Sequence, residues 1–227
     1  MNFIEGEVLL FDKPLGWSSF QLVNKVRYII CKKLNIKKLK VGHAGTLDPL
    51  ATGLMILCTG KATKQIESLM ATEKEYIADI LLGATTPSYD AETEVDKTFP
   101  VDHITNEKLE DTLHQFLGTI KQQPPMFSAK KVNGVRAYRL AREGSENILQ
   151  EKEVHISNLE IISFSRPNLQ LKVNCSKGTY IRSLANDIGL ALESGAYLTG
   201  LKRTKIGTYC NDDAWELNNF EKNLNSM

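Results

Sequence analysis

No apolar run in this chain of 227 residues approaches the roughly 18 residues that a membrane-spanning helix needs. The N-terminus carries Glu5 and Glu7 where a secretory leader carries positive charge, so a cytoplasmic protein with no membrane partner is expected. Cysteine is scarce. Cys31, Cys58, Cys175 and Cys210 lie far apart, with no Cys-x-x-Cys pair and no nearby histidine to complete a zinc set. Buried thiols without metal or disulfide are the expectation. Internal repeats, heptads and low-complexity tracts are also missing, as is any surplus of one charge: 28 basic residues stand against 27 acidic ones. A nucleotide cradle is missing too. Gly60-Lys61 follows an apolar run, but the preceding glycine, Gly53, is too far upstream for a P-loop, and residue 62 is Ala where Ser or Thr must ligate magnesium.

What is present is ordinary globular usage, 42% hydrophobic and 24% charged, which suffices for a continuous core. At about one and a half times a typical domain, the length predicts one large domain over residues 1–227. Charge is balanced in sum but segregated in place. Lys25, Arg27, Lys32, Lys33, Lys37, Lys38 and Lys40 occur without an acid among them, and so do Lys121, Lys130, Lys131, Arg136, Arg139 and Arg142. Acids gather at Asp90, Glu92, Glu94 and Asp96 and again at Asp212, Asp213 and Glu216. Such segregation gives a neutral protein a basic face of the kind phosphate backbones select, although two solvated helix surfaces read the same way.

Periodicity predicts a strand over 8–11, ended by the turn-forming Asp12-Lys13-Pro14-Leu15-Gly16, and then a helix capped by Ser18 or Ser19 with Leu22, Val23, Val26, Ile29 and Ile30 inward. Residues 41–53, rich in Gly, read as an ordered loop. Strands are expected over 54–58, 75–82, 154–164, 169–175 and 198–203, and helices over 61–70, 105–117 and 179–192. Residues 84–101 read as a polar surface excursion, and 124–144 as a loop with a short helix. Strands neighbour one another too often for strict alternation with helices, which indicates an α+β fold with a mixed, largely antiparallel central sheet flanked by helices.

Within the 41–53 loop stands Asp48-Pro49. An Asp before Pro is ordinarily a turn former. Gly42-His43-Ala44-Gly45 alone matches a KH-type Gly-x-x-Gly loop weakly, because Asp48-Pro49 resists the helix such a loop needs. The whole stretch from Gly42 to Gly53, however, resembles the aspartate motif of the TruB family of pseudouridine synthases nearly residue for residue. Asp12-Lys13-Pro14 with Gly16 and Ser18-Ser19 resembles the family's first motif, and Lys74-Glu75-Tyr76 its tyrosine strand. Pro125 to Lys131 with Gly134 and Tyr138 resembles its RNA-gripping segment, Cys175 to Arg182 its arginine motif, and Leu201-Lys202-Arg203-Thr204 its late leucine motif. The likeness runs in order from about residue 7 to residue 209.

The resemblance implies an isomerase that converts uridine 55 in the T arm of tRNA to pseudouridine. The glycosidic bond breaks, the base turns, and it rejoins through carbon 5; nothing is added or lost, so the chemistry calls for no cofactor and no metal. It does need an ionised carboxylate, and the resemblance makes Asp48 that group, with Arg182 orienting it and lowering its pKa. Tyr76 is implied to stack on the flipped uracil and to relay a proton, and His43, Tyr180 and Leu201 to shape the site. Lys130, Lys131 and Arg136 would clamp the RNA backbone, with residues 32–40 a second contact. Family members often continue into an RNA-binding domain of the PUA type; only about 18 residues follow Tyr209 here, so that domain is expected to be absent, and a monomer is expected. Two rivals stay open: a non-catalytic tRNA-binding or folding protein, and a pseudouridine synthase acting on another RNA.

Overall fold

A computed structural model describes residues 1–128, 131, 132, 134–137 and 149–226, with residues 131, 132, 135 and 136 described by their backbone. The chain opens with β1 (Val8–Lys13) and α1 (Ser19–Leu34), followed by β2 (Val41–His43) and β3 (Ala51–Thr59). A 3-10 turn over Gly60–Gln65 leads into α2 (Ile66–Ala71) and β4 (Lys74–Leu82). Next come β5 (Ala84–Thr85), β6 (Lys97–Thr98), α3 (Asn106–His114), β7 (Gly118–Gln122), β8 (Lys131–Val132) and β9 (Val135–Arg136). The remainder comprises β10 (Lys152–Ser165), β11 (Asn168–Cys175), α4 (Ile181–Ala191), β12 (Ala196–Ile206), β13 (Tyr209–Cys210) and α5 (Leu217–Ser226). The fold is α+β, with a mixed sheet and flanking helices.

Two compact units divide these elements, Met1–Tyr76 with Leu201–Met227, and Ile77–Gly200. In the first, β1 and β2 both pair antiparallel with β3, while Leu201 to Arg203 of β12 run parallel to Ala51 to Gly53. The apolar face of this sheet packs Leu54, Ile56, Cys58 and Ile206 with Ala44 and Ala62 into a buried cluster. Ser18 caps α1 in a capping box with Gln21, and Leu22, Val23, Val26, Ile29 and Ile30 are buried at helical spacing. In the second unit β10 pairs antiparallel with both β7 and β11, and Leu169, Leu171, Val173 and Cys175 alternate inward.

Several expectations need correction. The 41–53 segment is a loop only between its ends, because Val41 to His43 and Ala51 to Gly53 join the sheet. The 61–70 helix is tightened to 3-10 geometry in its first half. Within the 124–144 stretch a hairpin of β8 and β9, turned at Gly134, stands where loop was expected, and residues 138–144, where the short helix could fall, lie outside the described residues. Of the four thiols, Cys58 and Cys175 are buried and Cys31 and Cys210 are partly exposed. Among the described residues, no helix is long and apolar enough to cross a membrane.

Candidate active site

Asp48 sits in the short loop between β2 and β3, and its neighbours are pinned from three directions. Ser19, buried at the start of α1, donates its hydroxyl to the Leu47 carbonyl (2.9 Å) and accepts the Leu47 N–H (2.8 Å). One hydroxyl thus satisfies both peptide groups of the residue preceding Asp48, which a serine can do because it is donor and acceptor at once. Lys13, the last residue of β1, is fully buried and directs Nζ to the carbonyls of Trp17 (2.6 Å), Pro14 (3.1 Å) and Pro49 (3.3 Å). The N–H of Gly16 adds a bond to the Pro49 carbonyl (2.9 Å). The turn after β1 and the Asp48-Pro49 turn are therefore one bonded assembly.

The third support is Arg203 on β12. Its buried guanidinium donates from Nε to the Leu54 carbonyl (2.8 Å) and from Nη2 to the Gly45 carbonyl (3.0 Å). The close parallel approach of β12 to β3 explains the glycine at position 53. Gly53 has φ +97°, and a Cβ there would lie 2.3 Å from the Arg203 carbonyl oxygen. Asp12 completes the support: its Oδ1 accepts the Gly53 N–H and its Oδ2 the side-chain amide of Asn211, both at 3.1 Å.

Electrostatics in this unit follow from two buried cations beside a carboxylate. Burial lowers the pKa of Lys13 to about 8, against the negative charge of Asp48, which raises it; the positive Arg203 lowers it further and Asp12 raises it. His43, on β2 four residues before Leu47, is held below the usual histidine range by burial and by the charge of Arg203, with the Gly45 backbone acting the other way. Its Nδ1 is buried with no hydrogen-bond partner among the described residues. A neutral imidazole at pH 7 results.

Tyr76, at the end of the first unit's share of β4, is buried. The residue before it is anchored to β12: Glu75 accepts the Thr204 hydroxyl on Oε1 (2.8 Å) and lies 3.6 Å from Lys205. Leu201 faces Ala51 in the parallel register, three residues past Asp48. The first unit thus gathers Asp48, His43 and Leu201 around the β2–β3 loop, with Tyr76 on the strand that Thr204 grips.

The second unit holds Tyr180 and Arg182 at the start of α4. The buried amide of Gln122, at the end of β7, brackets the backbone of Tyr180: Oε1 accepts its N–H (2.8 Å) and Nε2 donates to its carbonyl (3.0 Å). Ser183 donates to the Gln123 carbonyl (2.7 Å), so the helix start is fixed to the chain leaving β7. Arg182 is buried and lies 3.5 Å from the Asp90 carboxylate, which is buried as deeply. It also donates to the carbonyls of Phe127 (2.8 Å) and Ser88 (3.2 Å). The 84–101 excursion, expected to run over the surface, therefore sends Thr86, Ser88 and Asp90 inward to receive a buried guanidinium.

Lys130 lies outside the described residues. Lys131 and Arg136 face one another in the register of the β8–β9 hairpin, and their side chains lie outside the described atoms. Sequence reasoning missed Lys13 and Arg203 as supports of the Asp48 loop, and Asp90 and Gln122 as supports of the Arg182 segment. A signal existed for the first pair: a charged residue ending an apolar strand, as in Leu9-Leu10-Phe11-Asp12-Lys13, must find partners if that strand is central. None existed for Asp90, whose acidic neighbours imitate a solvated run.

Two family models match this chain, the N-terminal domain of TruB family pseudouridylate synthases over residues 32–181 and the tRNA pseudouridylate synthase B C-terminal domain over residues 182–226. Over 227 residues the chain is 57% identical to the tRNA pseudouridine synthase B of Phocaeicola vulgatus, covering 100% of this chain and 97% of that one. It is 52% identical over 224 residues to the protein of the same name in Flavobacterium johnsoniae, covering 98% of each. Among solved structures it resembles a chain of a Cbf5-Nop10-Gar1 complex, with TM-score 0.72 and 28% identity over 97% of this chain. It also resembles a chain of an H/ACA RNP bound to a substrate RNA containing 2'-deoxyuridine, with TM-score 0.69 and 26% identity, again over 97% of this chain. The chain spans about half of those two solved chains, 54% and 53%.

Proposed function

We propose that this chain, which belongs to the TruB family of pseudouridylate synthases, isomerises a uridine of tRNA to pseudouridine at position 55 of the T arm, with Asp48 as its catalytic carboxylate. The observation that carries the reading is the arrangement around Asp48. Ser19, Lys13 and Arg203 hold the backbone on both sides of it through the peptide groups of Leu47, Pro49 and Gly45, and so fix the position of the group. Preorganisation of this kind lets a reacting group meet its target without reorganising at the moment of reaction.

In the reaction, the C1'–N1 bond breaks and a C1'–C5 bond forms; the proton displaced from carbon 5 leaves, and N1 ends protonated. Asp48 acts while the base is detached, as nucleophile or as base. Arg182 orients the carboxylate, with Asp90 compensating its buried charge. Tyr76 stacks on the uracil and relays a proton, and Tyr180 and Leu201 wall the pocket. His43, neutral at working pH, contacts RNA where the base departs from its stack. Lys130, Lys131 and Arg136 neutralise backbone phosphates, each steepening the salt dependence of log affinity by about 0.7 to 0.9.

Tritium release from carbon 5 of uridine in an unmodified tRNA transcript tests the reading. The wild type is expected to release one equivalent per tRNA, and a transcript with cytidine at position 55 none. Release from several positions would move the target elsewhere in the RNA. No release with tight binding intact would favour the tRNA-binding rival.

A further inference from the structure

The solvent face of α1 has no part in the chemistry above, yet its composition is unusual. Phe20 and Tyr28, both large aromatic residues, are 69% and 58% exposed. They stand eight residues apart, two turns and about 12 Å along the helix, and share its outward side with Asn24, while Leu22, Val23, Val26, Ile29 and Ile30 take the core side. The chain around it is rich in cations. From Lys13 to Leu47 the chain contains Lys13, Lys25, Arg27, Lys32, Lys33, Lys37, Lys38 and Lys40 and not one Asp or Glu. From elsewhere in its unit Glu221 of α5 meets this helix, 3.7 Å from Lys25. Lys25 also lies 5.8 Å from the centroid of Tyr28.

This face starts at the Asp48 loop. Ser19, adjacent to Phe20, makes both bonds to Leu47, adjacent to Asp48. An RNA whose target base is presented to Asp48 must route its neighbouring nucleotides away from that loop. A helix that combines exposed rings with clustered cations suits unpaired nucleotides: rings stack on bases and cations neutralise phosphates, as on single-strand-binding surfaces. Resting on the tRNA reading above, we propose that α1 is a second RNA contact, in which Phe20 and Tyr28 each stack an unpaired base of the tRNA and Lys32 and Lys33 bind the adjoining phosphates. The two rings are too far apart to share one base, so they take two.

The test uses the full chain and an unmodified tRNA transcript, with binding and tritium release read separately. Phe20→Ala combined with Tyr28→Ala is expected to raise Kd about tenfold or more, with the salt slope and the single-turnover rate at saturating RNA unchanged. Trp at both positions is expected to restore affinity. Lys32→Ala with Lys33→Ala is expected to reduce the slope of log affinity against log salt by about 1.4 to 1.8. Wild-type affinity in the double aromatic variant overturns the proposal, whatever the chain does to uridine. Binding without tritium release by the wild type refutes the reaction but supports the stacking face when the aromatic variant binds more weakly. Failure of the wild type to bind RNA overturns both. Loss of self-association in the aromatic variant at unchanged RNA affinity overturns the proposal by assigning the face to a second copy.

Discussion

Arg203 spans the loop that Asp48 occupies, with Nη2 on the Gly45 carbonyl before it and Nε on the Leu54 carbonyl after it. A lysine at 203 cannot reproduce two donors in a fixed fork. Arg203→Lys is expected to lower stability by about 1 to 3 kcal/mol in urea unfolding and to reduce single-turnover rate more than RNA affinity. Equal losses in rate and affinity would show that the fork serves general folding and not the loop.

Asp48→Asn preserves shape and removes charge. It is expected to abolish tritium release while changing tRNA affinity about threefold or less, since it touches none of the cations that contact phosphate. Substantial residual turnover would disqualify Asp48 as the catalytic carboxylate.

Lys13 provides a pH signature. Its folded pKa of about 8 lies below its ordinary value of 10.5. Below pH 8 both folded and unfolded chains hold the proton and the burial penalty is carried in full. Between about 8 and 10.5 the unfolded chain binds more protons than the folded one, so this group's contribution to stability rises with pH. The stability of the wild type relative to Lys13→Met is therefore expected to grow across that window in urea titrations. A flat difference would mean Lys13 titrates normally.

How much of this was legible beforehand depends on what each residue's neighbours in sequence reveal. The helix α1 was readable because its five core residues recur at helical spacing and Ser18 precedes them. The apolar run of β3 was equally plain. By contrast β7, Gly118–Gln122, has one apolar side chain in five and joins the sheet because β10 offers it a partner. Likewise α5 is rich in asparagine and shows only Phe220 and Leu224 to the core, where edge-to-face contacts with Phe11 and Phe3 decide its place. Of the candidate site, Asp48 was visible through its motif. Its supports were less so: a charge at the end of an apolar strand hints that Lys13 needs partners, but the backbone carbonyls that Lys13 and Arg203 bind carry no sequence signature.

Asp90 and Arg182 form a buried pair, and breaking such a pair from one side weakens the compensation of a buried charge. Asp90→Ala is expected to lower stability by about 3 kcal/mol and to impair turnover, while Asp90→Ala with Arg182→Met recovers the stability without the turnover. Thermal unfolding of the single and double variants checks the first part and tritium release the second. An unaltered melting temperature in Asp90→Ala would show the pair to be dispensable.

The parallel pairing of β3 with β12 joins residues 51–53 to residues 201–203. A ribosome making this protein therefore synthesises the Asp48 segment well before its last supporting strand, with all of residues 77–200 in between. The support of the loop is thus completed only after that intervening unit has been synthesised, and a nascent chain reaches a competent arrangement no earlier.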